Sequence, residues 1–293
     1  MAKPKLLVQL DSDPQPSVFD AVVAADAGVE HLLQHGSVVK AQVQGLVHGA
    51  MFTRGPKDLH STAVFIGGSD VSLGEEMLKC VTDSFFGPIR VSVMMDASGA
   101  NTTAAAAVVA AGRHLDLANC SALVLAATGP VGQRVVRLLG GAGSQVKVAS
   151  RSKERAQTVV DQVAKSVEGA QLTAVATGSD DELRSAVAGV DLVIAAGAAG
   201  VELMSDSIRA SSELKVAIDL NAVPPAGIGG IGVTDMVESK EGPSGSIQIV
   251  YGAIGVGGTK MKIHKLAIQR LFESNDRVLD IDEIYQLGLE LEK

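Results

Sequence analysis

The chain has 293 residues and a net charge of −8 at pH 7, and this acidic balance argues against a nucleic-acid partner, which favours a basic surface. Hydrophobic residues make up 46% of it, but only 3% are aromatic, so a core of Ala, Val, Leu and Ile is expected, as in buried parallel strands. Two cysteines exclude a disulfide framework and a four-cysteine zinc site.

Apolar runs with the length of buried strands recur along the chain, and helix-like segments separate them. Alternation of this kind is typical of parallel sheets with crossover helices, so an α/β fold is predicted. The predicted strands are 6–10, 63–66, 91–95, 123–127, 146–149, 172–176, 192–196, 216–220 and 247–250.

Two helix starts are predicted from capping patterns. Ser72 is followed three residues later by Glu75, which is the pattern of a capping box for a helix over 73–84. Asn101 precedes an Ala-rich stretch and is predicted to cap a helix over 103–111.

Two domains are expected from changes in composition. A polar segment at 114–120 precedes a new strand-turn-helix unit, and the Gly-rich segment 252–258 is interpreted as a hinge before a helix over 259–274. The active site is then expected in the cleft between the domains. The predicted domains are 1–115 together with 259–293, which binds the substrate, and 116–258, which binds a cofactor.

The segment 123–139 has the pattern of a strand, a tight turn and a helix. The spacing Ala127-x-Gly129-x-x-Gly132 matches the dinucleotide fingerprint except that Ala127 replaces its first Gly. Gly129 lets the backbone approach a pyrophosphate, and Gly132 permits close helix packing. An ordinary strand-helix turn is the alternative. The predicted pyrophosphate contacts are Thr128, Gly129, Pro130, Val131 and Gly132.

The end of the next predicted strand decides the expected cofactor. NAD sites usually place an acidic residue there for the ribose 2′-hydroxyl, but this chain has Ser150, Arg151, Ser152 and, one helical turn on, Arg155. Guanidinium and hydroxyl groups suit a 2′-phosphate, so NADP is the predicted cofactor. The alternative is a solvated basic helix start.

Further strand ends should face the same region. Ala198 lies in a small-residue segment that leaves space for ribose or nicotinamide, and Asn221 is a candidate hydrogen-bond donor to the nicotinamide side. For Ala198, simple tight packing is an equally good interpretation.

Candidates for the substrate wall come from both ends of the chain. Phe19 and Asp20 open a helix after the first strand, where Phe19 can stack on a planar ligand ring or pack in the core. Lys260 and His264 are four residues apart, so they share one face of a predicted helix, whereas Lys262 points away. This pair can bind a carbonyl or shift a proton, although a solvated helix face is the alternative.

Together these segments resemble the NADP-dependent methylene-tetrahydromethanopterin dehydrogenases of bacterial one-carbon metabolism, relatives of the methylene-tetrahydrofolate dehydrogenases. The resemblance covers nearly the whole chain. The segments that carry it are 16–20 (PSVFD), 65–68 (FIGG), 86–88 (FGP), 101–104 (NTTA), 128–132 (TGPVG), 224–231 (PPAGIGGI), 255–264 (GVGGTKMKIH) and 271–274 (LFES).

The resemblance implies an N-terminal α/β domain and a Rossmann-like, doubly wound NADP-binding domain. It places Phe19, Thr103, Lys260 and His264 beside the pterin and implies hydride transfer from methylene-tetrahydromethanopterin to NADP+. Asp20, which follows Phe19, is a further candidate site residue, and the alternative for it is an acid in the first turn of a helix, stabilised by the helix dipole. A homo-oligomer, expected to be a trimer, is also implied. With no signal segment or membrane span in the sequence, we expect a cytoplasmic protein, and no metal site is predicted.

Two other functions fit the same sequence. The first is the same fold acting on methylene-tetrahydrofolate, with a cyclohydrolase activity as in bifunctional relatives. The second is a non-catalytic NADP sensor, which would keep Gly129 and Arg151 but would not need Phe19, Lys260 and His264.

Overall fold

The computed structural model describes residues 3–293, apart from the side chain of Ser244. The chain forms two compact units. Unit 1 contains the residues up to Thr102 and those from Met261 onward, and unit 2 is Thr103–Lys260. No helix in the described part of the chain is long and apolar enough to cross a membrane.

Unit 1 is built on a five-stranded sheet in which every neighbouring pair is parallel. Its strands, numbered along the whole chain, are β1 (Leu6–Asp11), β2 (His31–His35), β3 (Thr62–Gly67), β4 (Ser92–Met95) and β12 (Val278–Leu279), in the order β12-β4-β3-β1-β2. Its helices are α1 (Val18–Asp26), α2 (Lys40–Phe52), α3 (Val71–Asp83) and α10 (Ile281–Glu290).

Unit 2 contains a seven-stranded sheet in the order β10-β11-β9-β8-β5-β6-β7. Its strands are β5 (Ser121–Leu125), β6 (Gln145–Ser150), β7 (Gln171–Ala176), β8 (Leu192–Ala195), β9 (Val216–Asp219), β10 (Met236–Glu241) and β11 (Ile247–Tyr251). Its helices are α5 (Pro130–Gly141), α6 (Lys153–Ala164), α7 (Asp180–Val187) and α8 (Asp206–Ala210).

The strand order of unit 2 confirms the predicted Rossmann-like sheet. The chain winds from β5 outward through β6 and β7, then returns to β8 on the other side of β5, so the direction of winding reverses between these two strands. Only the edge pair of β10 and β11 is antiparallel. Ligands of doubly wound sheets bind at the carboxyl ends of the strands beside such a reversal.

Two helices continue across the division between the units: α4 (Ala100–Gly112) and α9 (Ala253–Arg270). The predicted hinge at 252–258 is wrong, because α9 already begins at Ala253. Two of its glycines, Gly252 and Gly255, serve close packing instead. A Cβ at Gly252 or Gly255 would collide with the backbone oxygen of Gly232 or Asp235.

Both predicted helix caps are also wrong. Helix α3 begins two residues earlier than expected, and its cap is Asp70, whose side chain accepts a hydrogen bond from the backbone N–H of Leu73. Asn101 lies inside α4, where its amide donates to the carbonyl of Met95 and to Asp280. Asn101 therefore binds a partner far away in the sequence, Asp280, which the local pattern does not reveal.

Candidate functional site

A cavity of about 430 Å³ lies at the carboxyl ends of β5, β6, β7 and β8 in unit 2. Five of the residues predicted to bind the cofactor line it: Thr128, Ser150, Arg151, Arg155 and Ala198. The predicted cofactor site and the cavity therefore overlap at the ends of β5, β6 and β8.

The turn between β5 and α5 forms one side of this cavity. Gly129 precedes the helix and Pro130 occupies its first position. A Cβ at Gly132 would lie 2.7 Å from the Cα of Ala127, so this glycine permits the helix to pack on the turn. Backbone strain falls on Ala126, with φ of 53°, rather than on Ala127, the residue that replaces the usual Gly. Gly129 has ordinary space, since a Cβ there would meet nothing closer than 3.6 Å.

The basic side of the cavity is formed where β6 leads into α6. Ser150 is buried, whereas the Arg151 and Arg155 side chains are exposed. Ser152 does not line the cavity. Its hydroxyl donates to Glu154 at 2.6 Å, which lowers the pKa of that carboxyl, and its oxygen caps α6 by accepting from the N–H of Arg155. Ser152 therefore stabilises the start of α6 as its N-cap.

Two segments of the cavity wall were missed by the sequence analysis. The first, 177–180, follows β7 and includes Asp180, and the second, 201–203, includes Glu202. The segment after β7 could have been predicted from the sequence, because in a parallel sheet the end of β7 lies at the same edge as the end of β6. No comparable signal marks 201–203, which belongs to irregular chain after β8.

Asn221 belongs to a loop organised by buried polar groups. Its amide oxygen accepts from the N–H groups of Gly200 and Val223, and its amide nitrogen donates to the carbonyl of Pro225. The preceding Asp219 is buried, which raises the pKa of its carboxyl, while hydrogen bonds from three backbone N–H groups oppose that rise. Asn221 thus fixes the loop in this structure, and its contact with nicotinamide stays a prediction.

The second group of predicted site residues centres on His264 in unit 1. The His264 ring is fully buried and lies nearly parallel to the ring of Phe65, with centroids 5.6 Å apart. The centroid of Phe19, which is half exposed, lies 6.3 Å away. Nδ1 of His264 is 4.0 Å from a carboxylate oxygen of Asp96, itself buried.

Asp96 is held in place by the start of α4. It accepts hydrogen bonds from the backbone N–H of Thr102 at 3.0 Å and from its hydroxyl at 2.6 Å. Asp20 lies near this region as well, since its carboxylate would be 3.4 Å from a Cβ placed on Gly67, the last residue of β3. The imidazole of His264 therefore faces two aromatic rings and one fixed carboxylate.

The remaining predicted substrate residues lie on the two continuous helices. Thr103 is half-buried on α4, and Lys260 is half-buried on α9, one turn before His264. Lys262 is exposed, as its position on the helix predicts. Within residues 3–293, no three His, Cys, Asp or Glu side chains are grouped so that they could hold a metal ion.

Comparison with solved structures supports the fold. The chain aligns with quinate dehydrogenase from Corynebacterium glutamicum in complex with NAD at a TM-score of 0.51 and 16% identity, over 98% of this chain and 99% of that one. It aligns with 5-ketofructose reductase of Gluconobacter sp. strain CHM43 at a TM-score of 0.51 and 12% identity, over 99% of both chains. At these identities the likeness concerns the fold alone.

Sequence comparison is more specific. The family profile for the N-terminal part of methylene-tetrahydromethanopterin dehydrogenase matches residues 18–98. The chain is 42% identical to bifunctional protein MdtA of Methylorubrum extorquens over 98% of this chain and 99% of that protein. It is 31% identical to an NAD(P)-dependent methylenetetrahydromethanopterin dehydrogenase of the same organism, over 94% of each. The chain therefore belongs to the methylene-tetrahydromethanopterin dehydrogenase family of oxidoreductases.

Proposed function

We propose that this protein transfers a hydride from 5,10-methylene-tetrahydromethanopterin to NADP+, giving methenyl-tetrahydromethanopterin. The observation that carries the cofactor choice is the cavity of unit 2, which is lined by Arg151 and Arg155 beside the buried Ser150. The pterin substrate is inferred from the family and from the relative whose name specifies methylenetetrahydromethanopterin.

The charges around the cavity favour NADP over NAD. A 2′-phosphate carries about −1.5 to −2 charges and accepts charge-assisted hydrogen bonds, which Arg donates in a planar fork. Arg151 takes the place of the acidic residue that would hold a ribose 2′-hydroxyl. Asp180 and Glu202 also line the cavity, so its formal charges sum to zero and the preference depends on the position of the two arginines at the end of β6.

The chemistry requires positioning more than acid-base catalysis. The reacting methylene carbon lies between two nitrogens, whose lone pairs stabilise the cation that forms when hydride leaves. NADP+ supplies the hydride acceptor at C4 of its nicotinamide, and the reacting carbons must be about 3–3.5 Å apart. We propose that Lys260 orients the pterin head and tunes its polarity without taking a proton in this step, and that Phe19, Asp20 and Thr103 complete the pterin contacts. The fully buried His264 acts as a positioning residue behind Phe19.

A second candidate is use of methylene-tetrahydrofolate in the same site. The relative at 42% identity is named bifunctional, so a single activity cannot be assumed for chains this similar. The two pterins differ in the arm beyond the reacting ring, so both would present the same reacting carbon to the cofactor.

The test is the initial rate of methenyl-pterin formation by the purified protein. Each methylene pterin is offered with NADP+ and with NAD+, giving four combinations. We expect the fastest turnover with the methanopterin substrate and NADP+. Turnover with folate alone would support the second candidate, and binding of NADP+ without turnover in any combination would support a sensor.

A further inference from the structure

Unit 1 contains a second cavity, of about 680 Å³, whose lining residues include none of the predicted catalytic or cofactor-binding residues. It lies between α2 and the part of the sheet formed by β1, β2 and β3. Its volume is within the roughly 300–1,000 Å³ range of small-molecule sites.

The cavity exists because α2 presents two glycines at this place. Gly45 and Gly49 are one helical turn apart and both line the cavity, and a Cβ at either would meet nothing within 4 Å. Opposite them, the strand register places Val8 beside Leu33, a residue of the edge strand β2 that is 47% exposed. Longer side chains at the two glycine positions would fill the space.

The walls combine apolar and cationic groups. Among the lining residues, Leu6, Val8, Leu33 and Ala50 are apolar, whereas Lys3, Arg54 and Asp58 supply two positive charges and one negative charge. The position of Arg54 is fixed by hydrogen bonds from Nη1 to the carbonyls of Pro4 at 3.0 Å and Ser61 at 2.8 Å. In a chain of net charge −8, this is a locally positive site.

Thr62 is a polar residue in the wall of the cavity. It is the first residue of β3, lines the cavity and is only 2% exposed. Its hydroxyl has no hydrogen-bond partner among residues 3–293. An unpaired buried hydroxyl is unfavourable, but this oxygen is closed off from the cavity, so the ligand would not bond to it directly.

We propose that this cavity binds an amphipathic monoanion with a hydrocarbon body and one carboxylate. The body packs on Val8, Leu33 and the glycine face of α2, and the carboxylate lies toward Lys3 and Arg54. The charge balance suits one negative charge, because Asp58 offsets one of the two cations. A short fatty acid has this chemistry.

The probe is decanoate, kept below its micelle concentration and titrated calorimetrically into the full-length protein. We expect saturable binding of one decanoate per chain. Gly49→Leu fills the cavity and should weaken binding at least about tenfold, because extra methylenes compete for the same volume. Gly141→Leu is the matched control, since this helical glycine of unit 2 also has nothing within 4 Å of a Cβ and lines none of the cavities described above.

Two smaller changes test the polar contacts. Lys3→Met removes one charge and should weaken binding by several-fold. Thr62→Val keeps the shape and changes a hydroxyl that the ligand does not reach, so it should leave binding unchanged. The proposal is overturned if decanoate does not saturate at one per chain, or if Gly49→Leu binds as the wild type does. It is also overturned if light scattering shows that the wild type self-associates and Gly49→Leu does not, because a second copy would then cover the cavity.

Discussion

The rings of Phe65 and His264 are stacked, with 20° between their planes and 5.6 Å between their centroids. Phe65 lies on β3 and His264 on α9, so the contact fixes the imidazole relative to the sheet of unit 1. The carboxylate of Asp96, 4.0 Å from Nδ1, stands on another side of the same ring. Because packing restricts its rotation, the buried His264 ring can hold its neighbours, including the half-exposed Phe19, in place.

Lys260→Ala is predicted to lower kcat/KM for the methylene pterin by about a hundredfold, because a poorly oriented hydride donor loses about that much rate. Lys262→Ala is the control: this lysine is exposed on the same helix, so its removal should change kcat/KM by no more than about twofold. Steady-state kinetics measure both. Full activity of Lys260→Ala would show that Lys260 has no part in pterin orientation.

Arg151→Asp is predicted to lower kcat/KM for NADP+ by about ten- to a hundredfold, since a hydrogen bond to a charged group contributes about 1.5–3 kcal/mol. The value for NAD+, which lacks the phosphate, should change much less. Lys165→Asp makes the same charge change beyond the other end of α6 and should leave the NADP+ to NAD+ ratio unaltered. An unchanged ratio in Arg151→Asp would contradict the proposed phosphate site.

Gly132→Ala is predicted to destabilise the protein by about 1–3 kcal/mol, because its Cβ would press on the backbone of the β5–α5 turn, 2.7 Å from the Cα of Ala127. Gly141→Ala, near the end of the same helix, has open space and should stabilise by about 0.5–1 kcal/mol through helix propensity. Chemical denaturation of both variants measures the difference. Equal free energies of unfolding for the two variants would mean that the β5–α5 turn shifts to make room for the added methyl group.

All nine predicted strands are present, and most of them are apolar runs buried in a parallel sheet. The three that were missed lack this signal. The edge strand β2 reads His-Leu-Leu-Gln-His and has no buried residue, β10 is charged and mostly exposed, and β12 has two residues. All three are edge strands that form by hydrogen bonding to a neighbouring strand, and a sequence pattern does not show that neighbour.

The cofactor cavity was partly predictable for a similar reason. The fingerprint and the basic segment after β6 are local patterns, so Gly132 and Arg151 can be found in sequence. Glu202 and the fixed loop around Asn221 depend on contacts between distant segments, such as Gly200 with Asn221. The hinge error has the same origin, because whether a glycine bends the chain or allows close packing depends on what lies opposite it.

Asp219→Asn is predicted to destabilise the protein by about 1–3 kcal/mol. The carboxylate accepts from the N–H groups of Asn221, Gly227 and Ile228, and an amide replaces one of its oxygens with a donor. At least one buried N–H then has no acceptor. The loop that contacts Gly200 would loosen beside the cofactor cavity, so KM for NADP+ should rise as well.

The pH dependence gives a sharper test of the same residue. Burial raises the pKa of Asp219 in the folded state, so the folded protein holds this proton more tightly than the unfolded chain does. The raised pKa of Asp219 therefore stabilises the folded state fully below the unfolded pKa of about 4. This stabilisation is lost as pH rises through the pKa of the folded state. The stability difference between wild type and Asp219→Asn should shrink as pH rises above about 4. A difference that grows with pH would mean that the Asp219 carboxylate is stabilised in its charged form.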